Sequence, residues 1–115
     1  MSEKQKLLIV DDSELNRDIL KEILGSSYDY LEAENGTQAI QILEVHPEID
    51  LMLLDINMPQ MNGFQVLEHM REFQWIDEVP VVMISSEESV EIMRKAYDLG
   101  ITDYISRPFD AVIVK

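Results

Sequence analysis

The stretch LLIVDDSELNRDILKEILG, residues 7–25, decides the fold. Leu7 to Val10 form a short unbroken apolar run. Two acids follow, and then Leu15, Ile19, Leu20, Ile23 and Leu24 fall at helical spacing, with Gly25 as a stop. The stretch reads as a strand and then a helix.

The same alternation continues outward from it. Tyr28 to Ala33 reads as a second strand, followed by a helix from near Gly36 to Val45 behind an Asn-Gly start, and the run LMLL at Leu51 to Leu54 as a third strand. A helix from near Gly63 to Phe73, the run VVMI at Val81 to Ile84, a helix from near Glu88 to Leu99 and a strand at Ile101 to Ile105 complete the pattern. Strands that read as unbroken Val, Ile, Leu and Met, without polar alternation, belong to parallel sheets covered on both faces. The expectation is therefore one α/β domain, a doubly wound five-stranded parallel sheet, with no linker or repeat.

The bulk numbers agree. The chain has 115 residues, 46% of them hydrophobic, which is one domain's length and core. Nine basic against 23 acidic residues give a net charge of −14. Such a field repels nucleic acid and anionic lipid and attracts cations, so no direct nucleic-acid or membrane partner is expected. There is no cysteine, hence no thiolate metal site. MSEKQK leads into a run too short for a signal sequence or a membrane span, so a cytoplasmic location is expected.

In doubly wound sheets, ligands bind outside the carboxyl ends of the strands. Strand one ends in Asp11 and Asp12, strand three in Asp55, strand four in Ser85 and Ser86, and strand five in Ser106, Arg107 and Pro108. Each has a structural alternative. Asp12 or Ser13 would cap the first helix and Ser85 or Ser86 the fourth. Asp55 would open a turn with Asn57 and Pro59, and Arg107 would be a solvated surface charge. Jointly, however, three carboxylates, hydroxyls and a cation would converge on one edge. Clustered carboxylates repel, and a divalent cation removes the conflict. Hard oxygen ligands with room for water suit Mg²⁺. A carboxylate beside such a metal can become an aspartyl-phosphate, with Ser85 and Arg107 binding the remaining phosphoryl oxygens.

The acidic pair in LLIVDDS, the segment LLDINMPQMNG, the hydroxyl in VVMISSE and the ending DYISRPF together resemble a response-regulator receiver domain, the phosphoacceptor of two-component signalling. The resemblance covers the whole chain. It implies a flavodoxin-like sheet of order 2-1-3-4-5 and phosphorylation of Asp55 by a histidine kinase or histidine phosphotransfer protein. It also implies Mg²⁺ held by Asp11, Asp12, Asp55 and the backbone carbonyl of Asn57. Ser85, Tyr104 and Arg107 become the switch residues, Asn57 and Glu87 flank the water path that sets phosphoryl lifetime, and helix four with strand five becomes the output surface. Self-phosphotransfer and autodephosphorylation would be the only chemistry, so no enzyme in the ordinary sense is expected.

Two departures stand out. The family has Lys where this chain has Arg107, which should either grip the phosphoryl group in a bidentate way or lie away from unphosphorylated Asp55. Beyond strand five only Asp110 to Lys115 remain, so a truncated fifth helix is expected, residues 1–115 being the N-terminal receiver of a longer regulator with a C-terminal output domain. The exposed apolar start of that helix would favour a homodimer. Competing readings are a haloacid-dehalogenase-type phosphatase, which wants Asp-x-Asp where Asp55 precedes Ile56 and Asn57, and a flavodoxin-like cofactor binder, which DDSELN disfavours. The remaining alternative is a phosphorylation-independent pseudo-receiver that acts as a docking module. His46 and His69 are isolated and read as surface residues, Trp75 as a partly buried loop anchor.

Overall fold

In a computed structural model that describes residues 4–56, 61–85 and 90–106, with the backbone alone at 85 and 106, each apolar run is a strand. The order is β1 (Gln5–Val10), α1 (Glu14–Leu24), β2 (Tyr28–Ala33), α2 (Gly36–Val45), β3 (Leu51–Asp55), α3 (Gly63–Glu72), β4 (Val81–Ser85), α4 (Val90–Asp98) and β5 (Asp103–Ser106). The strands form one sheet of order β2-β1-β3-β4-β5, and every neighbouring pair is parallel. β1 lies in the interior of the sheet, with Val10 in register with Ala33 on one side and Leu54 on the other.

Alternate side chains of a strand point to opposite faces, and here both faces are buried. Leu8, Val10, Met52, Leu54, Val81 and Met83 share a core with residues of α2, α3 and α4. Ile9, Leu53, Ile84 and Ile105 pack with Leu20 of α1 on the other side. That two-sided burial is the reason the strands read as unbroken apolar runs.

Local chemistry sets the helix starts. Ser13 is the N-cap of α1, its hydroxyl accepting from the Asn16 amide at 3.3 Å, so the choice left open between Asp12 and Ser13 falls to Ser13. Asn62 and Gln65 form a reciprocal capping box at α3. Gly25 ends α1 at φ 89°, a conformation in which a Cβ is strained.

Two elements differ from the sequence expectation. The last strand starts at Asp103 rather than Ile101, because the Ile101 amide still returns to the Ala96 carbonyl of α4 behind Gly100 at φ 104°. Between α3 and β4 lies an unexpected 3₁₀ turn, Trp75–Asp77, entered through Gln74 in the left-handed region. Trp75 there is half-buried, and the His69 ring packs against those of Phe73 and Trp75 at 4.6 and 5.4 Å. The expected fifth helix and the start of the fourth at Glu88 lie outside the described residues. No helix among the described residues is long and apolar enough to cross a membrane.

Candidate functional site

From β1 the chain goes outward to β2 and returns on the other side of β1 as β3, so the strand order reverses between β1 and β3. A crevice opens at the carboxyl end of such a reversal. Asp11 and Asp12 follow the last residue of β1, and Asp55 is the last residue of β3. Carboxylate oxygens of the three lie within 4.8 Å of one another. Asp11 and Asp55 are buried, 1% and 5% exposed, whereas Asp12 faces solvent.

The main chain around these acids is tightly held. The Asp11 amide donates to the Ala33 carbonyl at 3.0 Å, continuing the pairing with β2 past the end of the strand. Its carboxylate Oδ1 accepts from the Ser13 amide at 2.9 Å. Its carbonyl accepts from Arg17 Nη1 at 2.6 Å, and Arg17 Nε donates to Glu32 Oε1 of β2 at 3.0 Å. Lys21 Nζ donates to the other Glu32 oxygen at 2.9 Å. The Glu32 carboxyl is accordingly held below the usual carboxylate range, first by the Lys21 ammonium and then by Arg17 against the cost of its burial. Lys21 is raised by the same hydrogen bond.

Beyond Asp55, the Ile56 amide donates to the Ile84 carbonyl at 3.3 Å and the Gly63 amide to the Ile56 carbonyl at 2.9 Å. Gly63 has to be glycine for space: a Cβ there would stand 2.6 Å from the Asp55 carbonyl oxygen and 2.9 Å from Ile56 Cα. Gly36 is equally confined, with a Cβ meeting the Met61 carbonyl oxygen at 2.5 Å. α2 and α3 thus begin in direct contact with the chain that leaves β3.

The donor set fits a small hard cation. Ligands about 2.0–2.1 Å from an octahedral ion stand roughly 3 Å apart when adjacent and about 4 Å apart when opposite, so three oxygens within 4.8 Å need only small side-chain rotations. Carboxylates without nitrogen or sulfur ligands favour Mg²⁺ or Ca²⁺ over softer metals.

Of the sequence-predicted residues, the structure brings Asp11, Asp12 and Asp55 together. Ser85 closes β4 one residue beyond Ile84, the register partner of Asp55. Tyr104 is buried, 9% exposed, in the core of the α2–α4 face, opposite Met83 in the neighbouring strand. Asn57, Glu87 and Arg107 lie outside the described residues. Arg17, Glu32 and Gly63 do not stand out as site residues from sequence. A signal for Arg17 is present, since a cation shares the inward stripe of Leu20 and Leu24.

A parallel sheet with an acid trio at its switch point defines the class, and comparison with known proteins agrees. A family model for the response regulator receiver domain matches residues 7–114. The chain belongs to the response regulator receiver family, as a CheY-like receiver domain of two-component signalling. It is 35% identical over 112 residues to the chemotaxis protein CheY1 of Helicobacter pylori, covering 96% of this chain and 90% of that one. It is 33% identical over 109 residues to a probable cyclic di-GMP phosphodiesterase of Vibrio cholerae, covering 95% of this chain and 24% of that protein. Among solved structures it resembles CheY in the CheX-CheY-BeF3-Mg complex of Borrelia burgdorferi, with a TM-score of 0.86, 31% identity, and coverage of 96% of this chain and 83% of the other.

Proposed function

We propose that Asp55 accepts a phosphoryl group from a phosphohistidine on a histidine kinase or histidine phosphotransfer protein. The observation that carries this reading is the clustering of Asp11, Asp12 and Asp55 within 4.8 Å at the switch point, with Asp55 as the terminal residue of β3. The similarity to a CheY crystallised with BeF3 and Mg supports it.

In the proposed step a carboxylate oxygen of Asp55 attacks phosphorus in line with the phosphorus–nitrogen bond of the donor. The new oxygen–phosphorus bond forms as the phosphorus–nitrogen bond breaks, its electron pair stays on the ring nitrogen, and the donor leaves as neutral imidazole with the proton its other ring nitrogen already carries. Asp11, Asp12, Asp55 and the backbone carbonyl of Asn57 would hold Mg²⁺, which when bound offsets charge on the phosphoryl oxygens. Ser85 and Arg107 take the remaining oxygens through charge-assisted hydrogen bonds. Engagement of Ser85 draws on the chain after β4, and Tyr104, on the adjoining β5 in register with Met83, responds to that movement. The α4–β5 surface then carries the signal to an output, on the same chain or on a separate protein. Asn57 and Glu87, flanking the water path, set the phosphoryl lifetime.

Intact mass measured after incubation with acetyl phosphate and Mg²⁺ tests this. One added phosphoryl group is expected, absent with EDTA and absent in Asp55→Asn. An unmodified wild-type protein under excess donor would instead favour a phosphorylation-independent docking module.

A further inference from the structure

We propose that Arg17 is a positioning residue for the acid site, orienting both Asp11 and Asp12, with Glu32 as its anchor; this rests on the Mg²⁺-binding reading above. Arg17 is a buried cation, 6% exposed, on the inward stripe of α1. A buried charge must be paired and hydrogen-bonded, and this one is. Side chains of a helix lean toward its N-terminus, so a residue in the first turns of α1 reaches back over the end of β1. Arg17 does so, with Nη1 on the Asp11 carbonyl at 2.6 Å and Nε on Glu32 at 3.0 Å.

The geometry of the peptide bond gives this contact its reach. The Asp11 carbonyl lies in the rigid plane that joins Asp11 to Asp12. Holding its oxygen therefore fixes the direction in which the chain delivers Asp12, while the Asp11 amide is fixed separately by Ala33 at 3.0 Å. Both main-chain groups of Asp11 are thus tied to β2, one directly and the other through Arg17 and Glu32. Lys21 takes the second Glu32 oxygen at 2.9 Å and keeps the first turned to Arg17. Glu32 balances the guanidinium charge and Asp18, 3.4 Å from Lys21 Nζ, balances the ammonium, so the arginine orients the acids without a net positive charge beside a cation site.

Positioning and simple electrostatics predict opposite signs. Arg17→Gln removes a positive charge near the acids, and on charge alone Mg²⁺ would bind more tightly. If Arg17 positions them, binding weakens. Groups that orient metal ligands typically contribute on the order of 10–100-fold in affinity. Since Arg17 acts through the backbone, about tenfold weaker binding is expected in both Arg17→Gln and Arg17→Lys, the latter keeping the charge but losing the fork. The experiment titrates MgCl₂ by calorimetry into wild type and both variants, with circular dichroism to check folding and the ¹⁵N-resolved amide of Ser13 followed without metal. That amide reports the Asp11 carboxylate through its 2.9 Å bond, and its resonance should move in both variants. Arg17→Lys, which retains the buried charge, carries the test if Arg17→Gln does not fold. Affinities within twofold of wild type, or tighter binding by Arg17→Gln, overturn the positioning role alone. A wild-type protein that binds no Mg²⁺ overturns the site reading and this inference with it.

Discussion

Replacing Gly63 with alanine would drive one methyl group into the backbone of the proposed phosphoacceptor. The added Cβ would lie 2.6 Å from the Asp55 carbonyl oxygen, 2.9 Å from Ile56 Cα and 3.0 Å from Met83 Cε. The Met83 methyl is the end of a flexible side chain and can turn aside. The other two are main-chain atoms of the residue that ends β3 and its successor. Comfortable carbon contacts lie at about 3.5–4.0 Å, so relief needs a shift of roughly 0.5–1 Å between α3 and the end of β3. Overpacking of that kind costs about 1–3 kcal/mol. It also strains the 2.9 Å bond from the Gly63 amide to the Ile56 carbonyl.

The functional effect should exceed what stability alone explains, because a misplacement of about 1 Å at a reacting group can lower a rate by on the order of 100-fold. Gly25→Ala supplies the control. Gly25 sits at φ 89° and ψ −171°, and a Cβ there would have nothing within 4 Å of it, so alanine is strained by about 1–3 kcal/mol without touching the site. Urea denaturation should show both variants destabilised to a similar degree. Acetyl phosphate uptake followed by intact mass should be slowed at least tenfold in Gly63→Ala and remain within twofold of wild type in Gly25→Ala. A stable Gly63→Ala with a normal uptake rate would refute the claim that this contact holds Asp55 in place.

Two other outcomes follow from the charge arrangement. Asp12 is exposed and stands within 4.8 Å of two other carboxylates, so Asp12→Asn should stabilise the protein in EDTA by about 1 kcal/mol through relieved repulsion. In Mg²⁺ at about 100 times its dissociation constant, wild type should gain about 2.7 kcal/mol and the order should reverse; an Asp12→Asn protein less stable than wild type in EDTA would contradict this. At the opposite end of the sheet, Lys6 and His46 hold the exposed Glu48 carboxyl down to about 2 from 4.5. A lowered pKa stabilises the fold above the ordinary carboxyl value and loses that contribution as pH falls from 4.5 toward about 2. Glu48→Gln should therefore lower the urea midpoint slightly at pH 7, less so in 1 M salt, with the gap closing below pH 4.5; a gap that widened on acidification would exclude this ion pair as its source.

Legibility in the sequence tracks the range of each interaction. The strands are readable because two-sided burial leaves no polar alternation in LLIV, LMLL and VVMI, and α1 because Ile19, Leu20, Ile23 and Leu24 mark its inward stripe, although Leu15 at the same spacing is exposed. Asp11, Asp12 and Asp55 are readable because they sit where such strands stop, and the fold brings them together. Sequence places the start of β5 at Ile101, too early, because that apolar residue is still closing α4 with the Ala96 carbonyl. The 3₁₀ turn at Trp75 has no periodic signature in three residues. Arg17 and Glu32 are 15 positions apart, and nothing in local spacing says that a helix cation held by a strand acid also donates to the Asp11 carbonyl. Gly63 reads as a helix start, and only the approach of the Asp55 carbonyl shows why no other residue suits it.

The Arg17 and Gly63 contacts have one feature in common: they hold the acid site by its backbone. Asp11 is tied through its amide to Ala33 and through its carbonyl to Arg17, and Asp55 is bounded by Gly63 against its own carbonyl. A site held through carboxylate side chains alone would have to rearrange whenever a cation or a phosphoryl group claimed those oxygens. One held through the main chain keeps its alignment while the carboxylates change partners, because the bonds that set direction are not the bonds that ligands exchange. β2, α1 and α3 thereby oppose the separation of the three acids. On this argument the determinants of metal affinity lie partly in α1 and β2, well away from the carboxylates that would touch the ion.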